Sequence, residues 1–276
     1  MAAIFGGSAD VFNKILLGKM KMGTKNYLPI IFVMLAFISL FLIPLNFYFS
    51  VEALSWKLIL ILILMIVSAG AWNVLLAKSL ETEPLHEYEV IILMSPLVTV
   101  ILAAIFLPIE RNLVTFIAGI VSSIALVLSR FRKHHFVVSK TAKQTMLAVV
   151  LIGVEAVCLK ILLNYYSPTL LYFIRVTILA IVYLVYYKPD FSLLKKFDLT
   201  KIMILTALMG TGVMVLKYYA FQKIGLVLTT IILLIAPIIT YLASYFYFKE
   251  KKNFGRDAIC AIVISICIIT SLILNS

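Results

Sequence analysis

The run PLVTVILAAIFLPIER, Pro96 to Arg111, is an apolar stretch that opens on a proline and closes on a glutamate. It returns late in the chain as PIITYLASYFYFKEK, Pro237 to Lys251. Both copies carry Pro-x-x-Thr at the head (Pro96/Thr99, Pro237/Thr240) and a glutamate at the tail (Glu110, Glu250). Two questions follow: what medium such a segment lies in, and why it occurs twice.

Composition answers the first. Of 276 residues 64% are hydrophobic and 13% charged, and the mean hydropathy is +1.14. Soluble domains carry roughly a quarter charged residues, and one core of this size could not bury so much apolar side chain. The expected class is an all-α integral membrane protein of many spans. The net charge of +12 does not indicate nucleic acid. Twenty of the 24 Lys and Arg residues lie in or beside short connections, where they set topology and meet anionic lipid, and no soluble module carries a basic face. Cys158, Cys260 and Cys267 sit inside apolar runs without CxxC spacing. They read as small buried side chains, neither metal ligands nor a disulfide framework. No cofactor is expected. The N-terminus has no basic n-region and no A-x-A-like cleavage site, so its apolar segment is expected to be retained.

At about 20 apolar residues per crossing, spans are expected near 2–17, 28–49, 56–77, 88–107, 112–129, 145–163, 168–187, 201–220, 226–248 and 255–274. Ten helices result. The second question is answered by an internal repeat. GSADVFNKILL (Gly7–Leu17) matches GVEAVCLKILL (Gly153–Leu163), with Gly and Lys seven apart in both and Ile-Leu-Leu after the Lys. The offset between copies runs from 146 at the lysines to 140 at the glutamates, as loop insertions and deletions would give. The expected organisation is a first five-helix repeat over 1–130, a basic loop over 131–144 and a second five-helix repeat over 145–276. Five is odd, so the second copy enters from the opposite face and the two are inverted repeats. Secondary transporters built this way hold substrate near the midplane, between the halves.

Connections 1–2, 3–4, 5–6, 7–8 and 9–10 hold 17 Lys and Arg residues and the others hold three, Lys57, Arg111 and Lys223. The basic set is expected on the cytoplasmic side, which puts both termini outside if ten spans are present. A first segment lying at the interface would give nine spans and a cytoplasmic N-terminus with the same charges. The match of Gly7–Lys14 to Gly153–Lys160 favours ten.

Four basic side chains remain inside the apolar runs, Lys14, Lys160, Arg175 and Lys217, and Asp10 and Glu155 are the clear intramembrane acids. A charge at the bilayer centre costs roughly 2.5–3.5 kcal/mol on the gentlest scale, so it faces a cavity or a partner. Lys14, Lys160 and Lys217 stand near span ends and are expected to snorkel to the interface. Glu155 and Arg175 lie on antiparallel neighbours about 12 and about 10.5 Å below one interface, nearly level, so they can pair. That pair either fixes packing or lets Arg175 meet a substrate carboxylate or phosphate. Asp10 and Glu155 are the candidates for coupling to protons, with substrate exchange as the other mode. The Lys14 ammonium four residues on would instead keep Asp10 ionised. Trp72, Asn73 and Tyr218 are candidate cavity residues. Pro96 and Pro237 each remove a backbone hydrogen bond near mid-span and read as hinges or kinks. Glu110 and Glu250, beside Arg111 and Lys251, read as structural helix-end residues. His134 and His135 are adjacent in the basic loop with no third ligand, so no metal site is expected.

The paired Pro-x-x-Thr…Glu runs, each closing a set of apolar helices, resemble the EamA-type repeats of the drug/metabolite transporter superfamily. The resemblance implies two five-helix units around a central cavity, with Pro96 and Pro237 on the fourth and ninth helices. It makes Glu110 and Glu250 the signature glutamates and implies a transporter, not an enzyme. The charge bias departs from the cytoplasmic termini common in that family. The expected function is secondary active transport of a small metabolite or drug-like solute by alternating access. The expected setting is the plasma (inner) membrane of a prokaryote, with a small-molecule substrate and the lipid bilayer as partners. The alternatives are a lipid-linked head-group flippase of the same superfamily and an intramembrane lipid-modifying enzyme. Against the enzyme, the sequence holds no HExxH, no GxSxG and no clustered Asp motif.

Overall fold

A computed structural model describes residues 16–17, 22–82, 92, 94–108, 113–130, 140–233, 259, 262–263, 266–267 and 269–270. Its helices are α1 Gly23–Leu40, α2 Trp56–Thr82, α3 Ser95–Phe106, α4 Leu113–Arg130, α5 Lys140–Leu162, α6 Pro168–Tyr187, α7 Phe197–Ile224 and α8 Leu226–Leu233. Short 3-10 turns lie at Ile43–Leu45, Val51–Leu54 and Phe191–Lys195. Among the described residues β-pairing is limited to one antiparallel bridge, Phe49 with Tyr166.

Five stretches are long and apolar enough to cross a bilayer: Gly23–Leu45, Trp56–Ser79, Lys143–Leu162, Pro168–Tyr187 and Phe197–Ile224. The expected span at 168–187 has the bounds of α6, because Pro168 opens the helix at a position that needs no N–H partner. The span expected at 28–49 instead starts at Gly23 and its α-helix stops at Leu40. Pro44 follows within a turn and cannot continue the α-helical hydrogen-bond ladder. At the other end of the chain's polar side, Asp190 caps the turn after α6, accepting from Ser192 N (2.9 Å) and Oγ (2.8 Å). Those two donors hold its carboxyl below the usual range. Most of the first, ninth and tenth expected spans, and with them the complete two-repeat division, lies outside the described residues.

The helices bury an apolar core and in addition expose many large apolar side chains to the surroundings. Val67, Ile181 and Val185 are 61%, 56% and 71% exposed, whereas Thr145, Glu155, Arg175 and Thr211 are buried. Apolar side chains facing outward, with charged ones such as Glu155 and Arg175 kept inside, suit a lipid surround. Buried hydroxyls bond back to their own helices, as Thr99 does to the Ser95 carbonyl and Ser123 to the Gly119 carbonyl. The protein is therefore a multi-pass helical membrane protein.

Packing sets the direction of each helix. Thr169, at the start of α6, donates to the carbonyl of Asn46, just past α1, at 2.8 Å. At the far end the Asp190 N–H, just past α6, donates to Asn26 Oδ1 in the first turn of α1 at 3.0 Å. The two helices pack together and so run antiparallel. Thr145 at the start of α5 donates to Ser79 near the end of α2 at 2.9 Å, which makes that extensively packed pair antiparallel as well.

Gly153, the glycine of the repeated Gly-x6-Lys pattern, owes its place to close packing of α5 on α3. A Cβ there would come 2.8 Å from Leu102 Cδ1 and 3.2 Å from Val98 Cγ1. By contrast a Cβ on Gly210 would meet Leu35 Cδ2 at an ordinary 3.6 Å. Gly153→Leu should therefore destabilise the protein by about 1–3 kcal/mol through overpacking, while Gly210→Ala should be tolerated. Thermal unfolding in mild detergent checks this, and an unchanged midpoint for Gly153→Leu would contradict the packing described.

A charged cluster inside the membrane-spanning helices

Glu155 in α5 is the centre of the cluster. Its Oε1 accepts from Arg175 Nε of α6 at 2.5 Å, and its Oε2 accepts from the indole N–H of Trp72 in α2. Arg175 is 3% exposed and Glu155 5%. The Arg175 guanidinium also stands over the Trp72 ring, 5.8 Å from its centroid, within the range of a cation–π attraction. Three helices thus meet at one carboxylate. The short 163–167 connection brings α5 and α6 together as neighbours, which is why the two charges lie at one depth.

Tyrosines continue the cluster. Tyr172 lies three residues before Arg175, on the same face of α6, and packs edge-on against Tyr218 of α7 with ring centroids 5.8 Å apart. Both rings are buried and within electrostatic reach of Arg175. Thr211 precedes Tyr218 by two helical turns and shares its face. It lies beside Tyr172 yet makes no hydrogen bond of ordinary geometry. The Tyr218 hydroxyl and Arg175 Nη2 are likewise buried without a hydrogen-bond partner.

The expected site residues are placed unevenly. Glu155, Arg175, Trp72 and Tyr218 come together. Asn73 does not join them: its side-chain amide donates back to the Ala69 carbonyl at 2.8 Å, and adjacent helical residues point in different directions. Pro96 stands in the first turn of α3, where its missing N–H has no intrahelical bond to lose. Most of the residues that precede it in the expected span at 88–107 lie outside the described residues. Asp10, Pro237, Glu110 and Glu250 lie outside the described residues.

Two lysines expected to snorkel do something else. Lys160 Nζ donates to the Phe221 carbonyl at 2.6 Å, tying α5 to the end of α7. Lys217 lies with Nζ 5.3 Å from the Phe221 ring centroid and within electrostatic reach of Glu155 and Arg175. Counting to an expected span end at 220 had put Lys217 near the interface, but α7 continues to Ile224. Tyr172 was missed altogether. Its i,i+3 spacing to a buried arginine was the available signal.

A buried pair is costly to break from one side, because the remaining charge is left without a partner. Arg175→Gln should lower stability by about 3–5 kcal/mol. Combining Arg175→Met with Glu155→Leu should cost much less than the sum of the single changes, since neither charge remains. Unfolding midpoints of the four proteins check this; strict additivity would mean the pair is not coupled.

Comparisons with known proteins agree with this architecture. Residues 141–274 match the model of the EamA-like transporter family. Among solved structures 25 chains match. One of them, described only as the crystal structure of a protein, aligns with a TM-score of 0.67 at 16% identity, over 99% of this chain and 96% of that chain. A likeness at that identity is one of fold, and it extends over the whole length. A search of the curated proteins finds no match. Residues 141–274, the second half of the chain, are thus similar to the EamA-like transporter family.

Proposed function

We propose that this protein is a secondary active transporter that moves a small solute by alternating access between two inverted five-helix halves, with the Glu155–Arg175 cluster at the substrate site. One observation carries the reading: a buried charged cluster is assembled from α2, on the first-half side of the chain, and α5 and α6, on the second-half side. Helix pairing supports inversion. In the expected ten-span order, α1 and α6 are second members of their halves, and they pack antiparallel on one another. The fourth and ninth members, α3 and α8, also pack together, as an axis in the membrane plane would require.

A seal supports alternation. On the side away from the basic connections, the 41–55 segment meets the 163–167 connection through Ser50 N–H to Tyr165 O (2.9 Å) and Ser167 N–H to Tyr48 O (3.0 Å). Asn46 also donates to the Tyr219 hydroxyl at 2.8 Å. Opening to that side requires these bonds to break, and they are few, so the barrier is modest. By the charge rule this face is external, in the plasma (inner) membrane of a prokaryote. Coupling is proposed to run through protons on Asp10 or Glu155, or through exchange of one substrate for another.

Reconstitution in sealed vesicles tests the reading: the protein should carry a solute across chemically unchanged, and Arg175→Gln should not. Turnover of the solute or of a lipid into a new compound would replace the carrier reading with the enzyme. Movement of a lipid-linked head group alone would favour the flippase. The seal has its own test. Phe49 and Tyr166 face each other as a non-hydrogen-bonded antiparallel pair, for which a Cα separation of about 4.5 Å suits a disulfide. Oxidised Phe49→Cys/Tyr166→Cys should stop transport and reductant should restore it; full transport while oxidised would contradict a moving seal.

A further inference from the structure

The cluster holds more positive charge than its own carboxylate can answer. Arg175 and Lys217 face Glu155 alone among the described residues, and both Glu155 oxygens are already taken, by Arg175 Nε and by the Trp72 indole. Among the described residues Lys217 has no ion-pair or hydrogen-bond partner, and its Nζ lies over the Phe221 ring. Arg175 Nη2, the Tyr218 hydroxyl and Thr211 Oγ1 are buried without hydrogen bonds. Buried donors without acceptors are expensive, and half-buried Lys217 adds a second cation beside them that Glu155 alone does not balance. A ligand that removes both costs is an oxyanion: several acceptor lone pairs and negative charge in one group.

We infer that the Arg175–Lys217–Tyr218–Thr211 cluster binds the carboxylate or phosphate group of an anionic substrate, with Glu155 holding the Nε edge of Arg175 so that the Nη end faces the ligand. Arg175 supplies directional donors, Lys217 supplies charge, and the two hydroxyls complete the shell. A monoanion would bring the cluster's charge (two cations less one carboxylate) to zero. Glu155 sets the geometry of Arg175 and in this arrangement is a positioning residue. The inference deepens the carrier reading and rests on it for the name of substrate, but binding can be measured without transport.

The experiment uses the full-length protein in neutral detergent and follows thermal unfolding with added solutes. The anions are inorganic phosphate, glycerol 3-phosphate, succinate and lactate; the controls are choline, tetraethylammonium and glucose; phosphatidylglycerol is added separately. At least one anion should raise the unfolding temperature saturably, and the controls should not. Lys217→Gln and Tyr218→Phe leave the Glu155–Arg175 pair intact and so should fold. Each should weaken that anion's apparent affinity, by about tenfold or more for Lys217→Gln, with Lys217→Arg recovering most of it. A response to phosphatidylglycerol alone, lost in Lys217→Gln, would assign the oxyanion to a lipid head group. A shift with choline or glucose and none with any anion would overturn the inference, as would anion binding unaltered in both variants. Anion binding without movement across vesicles would instead remove the carrier reading and leave the oxyanion site standing.

Discussion

A carboxylate and a guanidinium at hydrogen-bond distance inside lipid-spanning helices set the terms for the rest of the molecule. Neither charge is tolerable there alone, so α5 and α6 must stay in register at that depth. The second carboxylate oxygen needs a donor too, and Trp72 brings α2 to the same point. Its ring then lies under the guanidinium, so one residue satisfies the acid and shields the base. The hydrophobic effect cannot do this sorting in a bilayer, where lipid and leucine are alike in polarity; close packing and buried hydrogen bonds must. Gly70 is an example of both. Its carbonyl accepts from the Tyr183 hydroxyl at 2.8 Å, and its missing Cβ lets Leu179 approach.

The cluster and the seal belong to the same helix ends. Moving from Arg175 toward the start of α6, one meets Tyr172, then Thr169, which is bonded to the Asn46 carbonyl. Moving from Tyr218 along α7, one meets Tyr219, bonded to the Asn46 side chain. In the proposed carrier, displacing α6 or α7 at the cluster would pull on the 41–55 segment directly. The coupling is physical contact along two rigid helices, which needs no longer pathway.

Much of this was legible in the sequence, and the failures have specific causes. The membrane class followed from composition alone. The Glu155–Arg175 meeting was legible because a short connection fixes the relative depth of two neighbouring helices, which is a matter of counting. Lys217 was placed within a turn or two of a span end at 220, and the helix runs on to Ile224, two turns beyond it; backbone hydrogen bonds do not stop where apolar residues do. Pro96, read as a mid-span kink, stands in the first turn of α3, and most of the span before it lies outside the described residues. Asn73 was grouped with Trp72 as a sequence neighbour, though helical geometry turns them apart. The repeated Gly-x6-Lys pattern was read as the mark of a repeat, and in the described copy both residues make specific contacts. The glycine admits α3, and the lysine reaches a carbonyl at the end of α7.

The central claim is that the cluster communicates with water on one side of the membrane at a time. The direct measurement is thiol labelling of Thr211→Cys in oriented sealed vesicles, in a chain whose three native cysteines are replaced. An impermeant maleimide should reach position 211 from both faces over time, and closing the 49–166 cross-link should abolish labelling from the sealed face while sparing the other. Labelling from neither face under any condition would mean a dry structural core. Persistent labelling from the sealed face with the cross-link closed would mean that the seal does not guard the cluster.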